Sequence, residues 1–397
     1  MGFEKGSISF RRYEISGWKH GVIDDAMLGA LSANAFGRYP AAVDGTEMGW
    51  VTPVHLFDLD FATEKIDFGR FAYLRLRVDR NTVPGAILSS YVAIEEMTER
   101  EAAGTDTLTK KQRAQARQTA KTRADQEARS GAFRRISVYP ILIDLENAML
   151  YVGHAGNQVN ERVCGVFTET FDVRIEPVTA HTLAATTAEK SGAQRTLEDA
   201  APCHWITPPD GVDGDAFGPD AADRSFLGRE FLTWLWHRTD AGEGLVECAG
   251  GDDLSLSVAR RIQLRCDFNL TGSTTVCADG PAELPETRVA LAAGKQPSRM
   301  GLIVASGAGQ WSFSLGAERL DVTGMTIESD DADTPHDRLA RRLAATADLG
   351  DTIDRLFTAF VSLRLSSQWS PARERMTEWA AAHRLGPRPA APRLVRA

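Results

Sequence analysis

The clearest alternation in the chain lies at 71–78, where Leu74, Leu76 and Val78 interleave with Tyr73, Arg75 and Arg77. A period of two over that length predicts a half-buried strand. Residues 8–15 carry a weaker two-residue period and predict another. Between them Val22, Met27, Leu28, Leu31 and Phe36 recur at mostly helical spacing. They predict a helix over 18–36, with Gly37 as its C-terminal cap. Met48-Gly49-Trp50-Val51-Thr52-Pro53 predicts a short strand ended by proline. Pro84 opens a helix whose apolar stripe is Ile87, Leu88, Tyr91, Val92, Ile94 and Met97.

The pattern continues with strands at 136–145 and 149–152, a helix at 160–171 and a strand at 173–175. A strongly aromatic helix covers 226–236, and its Trp234 and Trp236 suit packing better than base stacking. Strands follow at 254–265, 273–278, 300–305, 311–315 and 320–327, with a helix at 285–293. Three helices close the chain at 337–346, 353–369 and 370–383, with Ser370-Pro371 marking the last break. The fold class expected is α+β, with mixed helices and antiparallel sheets in more than one domain. The domain plan is an N-terminal α+β domain over 1–180, with a projecting arm at 98–132, and a C-terminal α+β domain over 225–383. Between them, 186–224 is rich in Pro and Gly and acidic, and reads as a linker or insert. Residues 384–397 are a basic tail expected to be disordered.

Charge changes this picture at one place. The 397 residues hold 45 Lys and Arg against 54 Asp and Glu, a formal charge of −9. That excludes a wholly basic nucleic-acid binder. Yet Leu108 and Phe133 enclose no large apolar residue, and Lys110, Lys111, Arg113, Arg117, Lys121, Arg123 and Arg129 lie between them. With Arg134 and Arg135 there are nine bases against Asp125 and Glu127. Such a helix, polar all round, is expected to project or to bridge through solvent. Either it is a solvated spacer, or it meets phosphates or an acidic partner.

Catalytic patterns are absent. Gly301 to Gly309 lacks the Lys of a phosphate-binding loop, and no nucleophile elbow or zinc-protease motif occurs. Five cysteines without Cys-x-x-Cys spacing argue for reduced thiols. Cys203-His204 has no second pair to complete a metal site, so neither metal nor cofactor is expected. Asp24-Asp25, Asp58/Asp60 and Asp252-Asp253 are carboxylate pairs. A metal-dependent nuclease would have to bring such groups together. The longest apolar run, 138–145, is broken by Pro140 and Asp144 and falls short of the about 20 residues of a membrane span. No signal peptide and no membrane partner are expected.

The order of several short segments resembles the bacterial recombination-associated RdgC family. Met48-Gly49-Trp50-Val51-Thr52-Pro53 is similar to its M-G-W-V-x-P segment, and the charged helices after Ile94 occupy the place of its tip helices. Arg129 to Arg135 resembles its R-A-F-x-R return, and Leu232-Thr233-Trp234-Leu235-Trp236 its L-T-x-W segment. Leu291 to Lys295 resembles an E-A-G-K turn before a strand pair. The resemblance implies no catalysis. It implies a horseshoe-shaped chain that dimerises into a ring around double-stranded DNA, in the cytoplasm on the nucleoid. Such a ring limits access of a RecA-type recombinase. The lining would draw on Arg11, Arg12, Arg75, Arg77, Lys295 and Arg299, together with Lys110, Lys111, Arg113, Arg117, Lys121, Arg134 and Arg135. Phe133 would lie at a subunit contact. The family's basic stretch before the 285–293 helix is missing here. Two alternatives stand beside this one: a divergent metal-dependent nuclease, and a protein-interaction module with a basic arm.

Overall fold

The computed structural model describes residues 2–39, 42, 45–206, 223–241, 244–248, 253–266, 272–307, 309–327 and 334–382. The chain runs β1 (Ile8–Ser16), α1 (Asp25–Ala33), β2 (Thr46–Val51), α2 (Thr63–Ile66), β3 (Asp67–Phe68) and β4 (Phe71–Asn81). Then come α3 (Gly85–Ala103), α4 (Lys110–Arg129), β5 (Arg134–Asp144), β6 (Met149–Val152), α5 (Asn157–Phe171) and β7 (Arg174–Pro177). Next are α6 (Ala180–Ser191), α7 (Gln194–Glu198), α8 (Phe226–Asp240), β8 (Leu245–Glu247), β9 (Asp253–Cys266) and β10 (Thr274–Cys277). The last are α9 (Pro285–Ala292), β11 (Lys295–Ser306), β12 (Gly309–Gly316), β13 (Val322–Ile327), α10 (Pro335–Arg364) and α11 (Trp369–Ala381). The class is mixed α+β with antiparallel ladders, as the alternation predicted.

Two compact units divide the chain, and they do not follow its sequence halves. One comprises Met1–Gly17, Asn147–Asn160 and Arg174–Ala397; the other comprises Trp18–Glu146 and Glu161–Val173. In the first, β9, β11, β12 and β13 pair in that order, with β10 and β8 on the outer side of β9. β1 joins this set because its N-terminal end pairs with β13 while its later residues pair with β6 and β7. Helices α8 and α10 meet through Phe231 and Phe357, ring centroids 5.1 Å apart, and Trp234 stacks on Phe231. The aromatic helix is therefore a packing element. Gly228 lets it settle, since a Cβ there would stand 2.0 Å from the Ala317 carbonyl oxygen.

In the second unit β5, β4 and β2 pair in that order, and β3 extends β4 at one end. The Met-Gly-Trp segment has a physical reason. A Cβ on Gly49 would lie 2.3 Å from Phe36 Cα, so the chain after α1 presses against bare backbone. Trp50 is fully buried and its Nε1 donates to Thr170 Oγ1 at 2.8 Å.

Three expectations change. α1 begins at Asp25 and not near 18, because Asp24 accepts from the Met27 amide as its N-cap; it ends at Asn34, short of Gly37. α10 runs unbroken through 347–352, because Leu343, Ala347, Leu349, Ile353 and Leu356 keep one face buried. The turn falls at 365–368, and Pro371 sits inside the first turn of α11. The front of the acidic segment is helical, in α6 and α7, while 207–222 and the tail 384–397 lie outside the described residues.

Gly228→Ala should lower the thermal unfolding temperature, although Ala favours a helix interior by about 1 kcal/mol over Gly. Gly29→Ala in α1, where a Cβ meets nothing within 4 Å, should hold or raise it. Equal responses in thermal melts would contradict this packing.

Candidate nucleic-acid interface

The basic segment forms the second helix of a hairpin. Gly104 ends α3 in the left-handed region, and Thr109 starts α4 with a capping box to Gln112. α4 is not polar all round. Ala116, Ala120, Ala124 and Ala128 recur every four residues and are buried. That small-residue stripe packs on α3, and it is the signal that the search for large apolar residues passed over. Across the hairpin Tyr91 donates to Glu127. Arg123 lies 4.5 Å from the centre of the Tyr91 ring and 3.9 Å from Glu95. The hydrogen bond to Glu127 is the main cause that raises the Tyr91 phenol's pKa. The stripe expected on α3 does not make a core: none of its residues is fully buried, and Ile94 and Met97 stand exposed.

Six cations of α4 point to solvent: Lys110, Lys111, Arg113, Arg117, Lys121 and Arg129. None has an ion-pair partner among the described residues. Arg135 is equally open, and the β4–β5 register sets Arg80 directly opposite it. Like charges facing each other across strands destabilise a ladder unless an anion joins them. Sequence reasoning missed Arg80; its place opposite Arg135 is visible only once the pairing of β4 and β5 is known. Phe133, half-buried, stands just before β5.

The remaining expected contacts are held internally. Arg77 and Asp79 share one face of β4, and Asp79 is 2% exposed. Arg77 gives Asp79 two hydrogen bonds at 2.9 and 2.7 Å, and its guanidinium lies 4.0 Å from the Phe36 ring centre. Arg134 gives the same carboxylate a bond at 2.6 Å and reaches Glu47 at 3.3 Å. In the other unit Arg12 is buried, with bonds of 2.8 and 2.6 Å to Asp354 and 2.8 Å to the Gly350 carbonyl. Burial opposes its charge, but Asp354 outweighs that and raises its pKa. Arg12 and Arg77 are thus removed from any phosphate-facing lining, because a buried guanidinium in a two-toothed carboxylate pair has no donor facing water. Arg11 bonds Asn157, Lys295 bonds Thr274, and Arg299 bonds Asp321 and Thr323. Arg75 is half-buried and has interactions of its own.

The carboxylate pairs also have local tasks. Asp24 caps α1 and pairs with His20, whose hydrogen bond is the first cause lowering the Asp24 pKa. Asp58 accepts from Thr52 Oγ1 at 2.7 Å, and Lys65 Nζ reaches Asp58 and Asp60 at 3.1 and 3.0 Å. The bond from Thr52, then that from Lys65, hold Asp58 below the usual carboxylate range. Asp252 lies outside the described residues. Cys203 is buried, and burial with Glu230 nearby pushes its thiol up to about 12, which leaves no thiolate at neutral pH. Among the described residues no three His, Cys, Asp or Glu side chains gather as metal ligands. No described helix is long and apolar enough to cross a membrane. Comparison with protein-family models and with curated proteins finds no match.

Asp79→Ala should cost on the order of 3–5 kcal/mol, because it strands the buried Arg77 guanidinium, whereas Arg113→Ala should stay within about 0.5 kcal/mol of the parent. Denaturant titration checks both. The Asp58 clamp carries a pH signature. Its folded pKa is lowered, so its contribution is present above the unfolded value of about 3.9 and is lost as pH falls through the folded one. The Thr52→Val variant should lose less stability than the parent over that acid range.

Proposed function

We propose that this chain binds double-stranded DNA without sequence preference, as a ring-shaped homodimer that limits access of a RecA-type recombinase on the bacterial nucleoid. The observation that carries the DNA reading is the row of unpartnered cations on α4, in a chain whose net charge is −9. Lys110, Lys111, Arg113 and Arg117 are exposed in the first half of α4, which holds no carboxylate. Cations of this kind neutralise phosphates, release counterions and give affinity independent of sequence. Arg80 and Arg135 at the root of the arm extend the same chemistry. An acidic exterior with local basic strips reconciles the overall charge with a polyanion partner.

The ring, the homodimer and the recombinase rest on the ordered resemblance to the RdgC family, from Met48-Gly49-Trp50 through Lys295. A nuclease finds less support, since Asp24, Asp58 and Asp60 are engaged in capping and in the Lys65 clamp. A module for an acidic protein would use the same cations, and the test separates it.

Binding of random-sequence duplex, followed by fluorescence anisotropy, should weaken steeply as salt rises. Replacing Lys111, Arg113 and Arg117 together by Gln should lower the slope of log K against log salt by about 3, at roughly 0.9 per phosphate contact. Thermal unfolding should not change. A flat salt response, a strong consensus from a random pool, or retention of acidic proteins without DNA would contradict the reading.

A further inference from the structure

Two arginines of the first unit share one partner, and that partner is neutral. Arg11 Nη2 donates to Asn157 Oδ1 at 2.7 Å, and Arg319 Nη1 donates to the same oxygen at 2.5 Å. Neither guanidinium has an ion-pair partner among the described residues. The Nε of Arg11 is buried and has no hydrogen-bond partner among them either. An amide oxygen carries only a partial charge, so two full positive charges converge there without compensation. The carboxylates near Arg319 in sequence are committed elsewhere, Glu318 to Arg229 at 2.6 Å and Asp321 to Arg299. The first turn of α5 holds no acid, and Glu161, one turn on, forms no ion pair among the described residues.

The frame around Asn157 is fixed. The Gly156 carbonyl accepts the Asn160 amide at 3.2 Å, so Gly156 stands where a cap residue would, and it offers no side-chain oxygen to close the turn. Only glycine fits there, since a Cβ would lie 2.7 Å from the His154 ring, whose Nδ1 accepts the Gly156 amide at 2.9 Å. Asn160 is 2% exposed. It donates to the His154 and Gly156 carbonyls at 2.7 and 2.9 Å and accepts from the Tyr13 hydroxyl at 2.9 Å. Arg11 is held from the other side, on β1 opposite Val152 of β6. The first amides of a helix lack intrahelical partners and favour an anion, which adds to the two guanidiniums.

We propose that Arg11, Arg319 and Asn157 bind the phosphate group of a small phosphomonoester. Such a group carries about −1.5 to −2 charges at neutral pH, which matches two uncompensated guanidiniums; a phosphodiester carries one. Guanidinium forks suit phosphate oxygens, and both arginines already point at one spot. Asn157 serves in two ways: its oxygen holds the arginines together, and a turn of its amide offers the Nδ2 donors to an oxyanion seated between them. The site uses no residue of α4 and does not depend on the DNA reading.

The test is calorimetric titration of the full chain with methyl phosphate, with dimethyl phosphate as the monoanionic control. Methyl phosphate should bind saturably and at least fivefold more tightly than dimethyl phosphate. Arg11→Gln with Arg319→Gln should weaken methyl phosphate tenfold or more. Asn157→Asp supplies the missing counter-charge from within, so it should abolish methyl phosphate binding and raise the thermal unfolding temperature. The temperature gain should shrink when Asn157→Asp is placed in the double Gln background, which separates pairing with the arginines from the general preference for acids at a helix start. Asn157→Asp keeps the test open should the double Gln variant misfold. Absent or non-saturable binding, equal affinity for the two esters, or methyl phosphate binding undiminished in Asn157→Asp would overturn the site. Random-sequence duplex should leave methyl phosphate affinity unchanged, and the double Gln variant should keep the parent's salt slope on duplex. Competition by duplex or a lowered slope would assign the arginines to the DNA backbone and overturn the small-molecule site, while leaving the DNA reading standing.

Discussion

A charge shut away from water must meet a fixed partner, and Asp79 is where this chain meets that demand most tightly. It lies almost wholly buried between Arg77 and Arg134. Breaking such a group apart costs far more than assembling it contributes, so its worth lies in fixing geometry more than in net stability. The geometry fixed here is that of the arm. Arg134 is the first residue of β5 after the hairpin, and Asn81, the last of β4 before it, donates to the Ala128 carbonyl in the final turn of α4. Both strands at the root of the arm are thereby tied to the sheet. Arg12 with Asp354 repeats the device in the other unit, and Gly350 gives Arg12 the room to reach α10.

These internal pairs sort the basic residues into two populations. Arg12 and Arg77, buried within the sheets, face carboxylates and carbonyls. The cations of α4 face solvent, and their four-residue spacing costs the isolated helix a few tenths of a kcal/mol per like-charged pair. The capping box at Thr109, the buried alanines and the Tyr91–Glu127 bond offset that repulsion. A helix pair so thinly packed opens more readily than a core strand. A polyanion that neutralises α4 would stabilise the arm as it binds.

Much of the fold was legible in the sequence because long strands carry period two. Residues 71–78 lie inside β4, and the aromatic run 226–236 is the packing helix α8. Boundaries were less legible, since Asp24 and the turn at 365–368 act through capping and buried contacts that periodicity does not report. The basic arm was visible as composition, but its packing was not, because the code is alanine every four residues in place of large side chains. The fate of Arg12 and Arg77 was illegible for a deeper reason. Asp354 is 342 residues from Arg12, and only the folded chain brings the carboxylate within 2.6 Å. Arg80 opposite Arg135 likewise depends on strand register.

The central claim is that phosphates are met by the unpartnered cations of the arm and not by the arginines buried in the sheets. Hydrogen–deuterium exchange of the full chain, with and without random-sequence duplex, tests it most directly. The account predicts slowed exchange across α4 and at the start of β5, with unchanged protection at β1 around Arg12. Protection gained elsewhere, with α4 exchanging as fast as in the free protein, would contradict it.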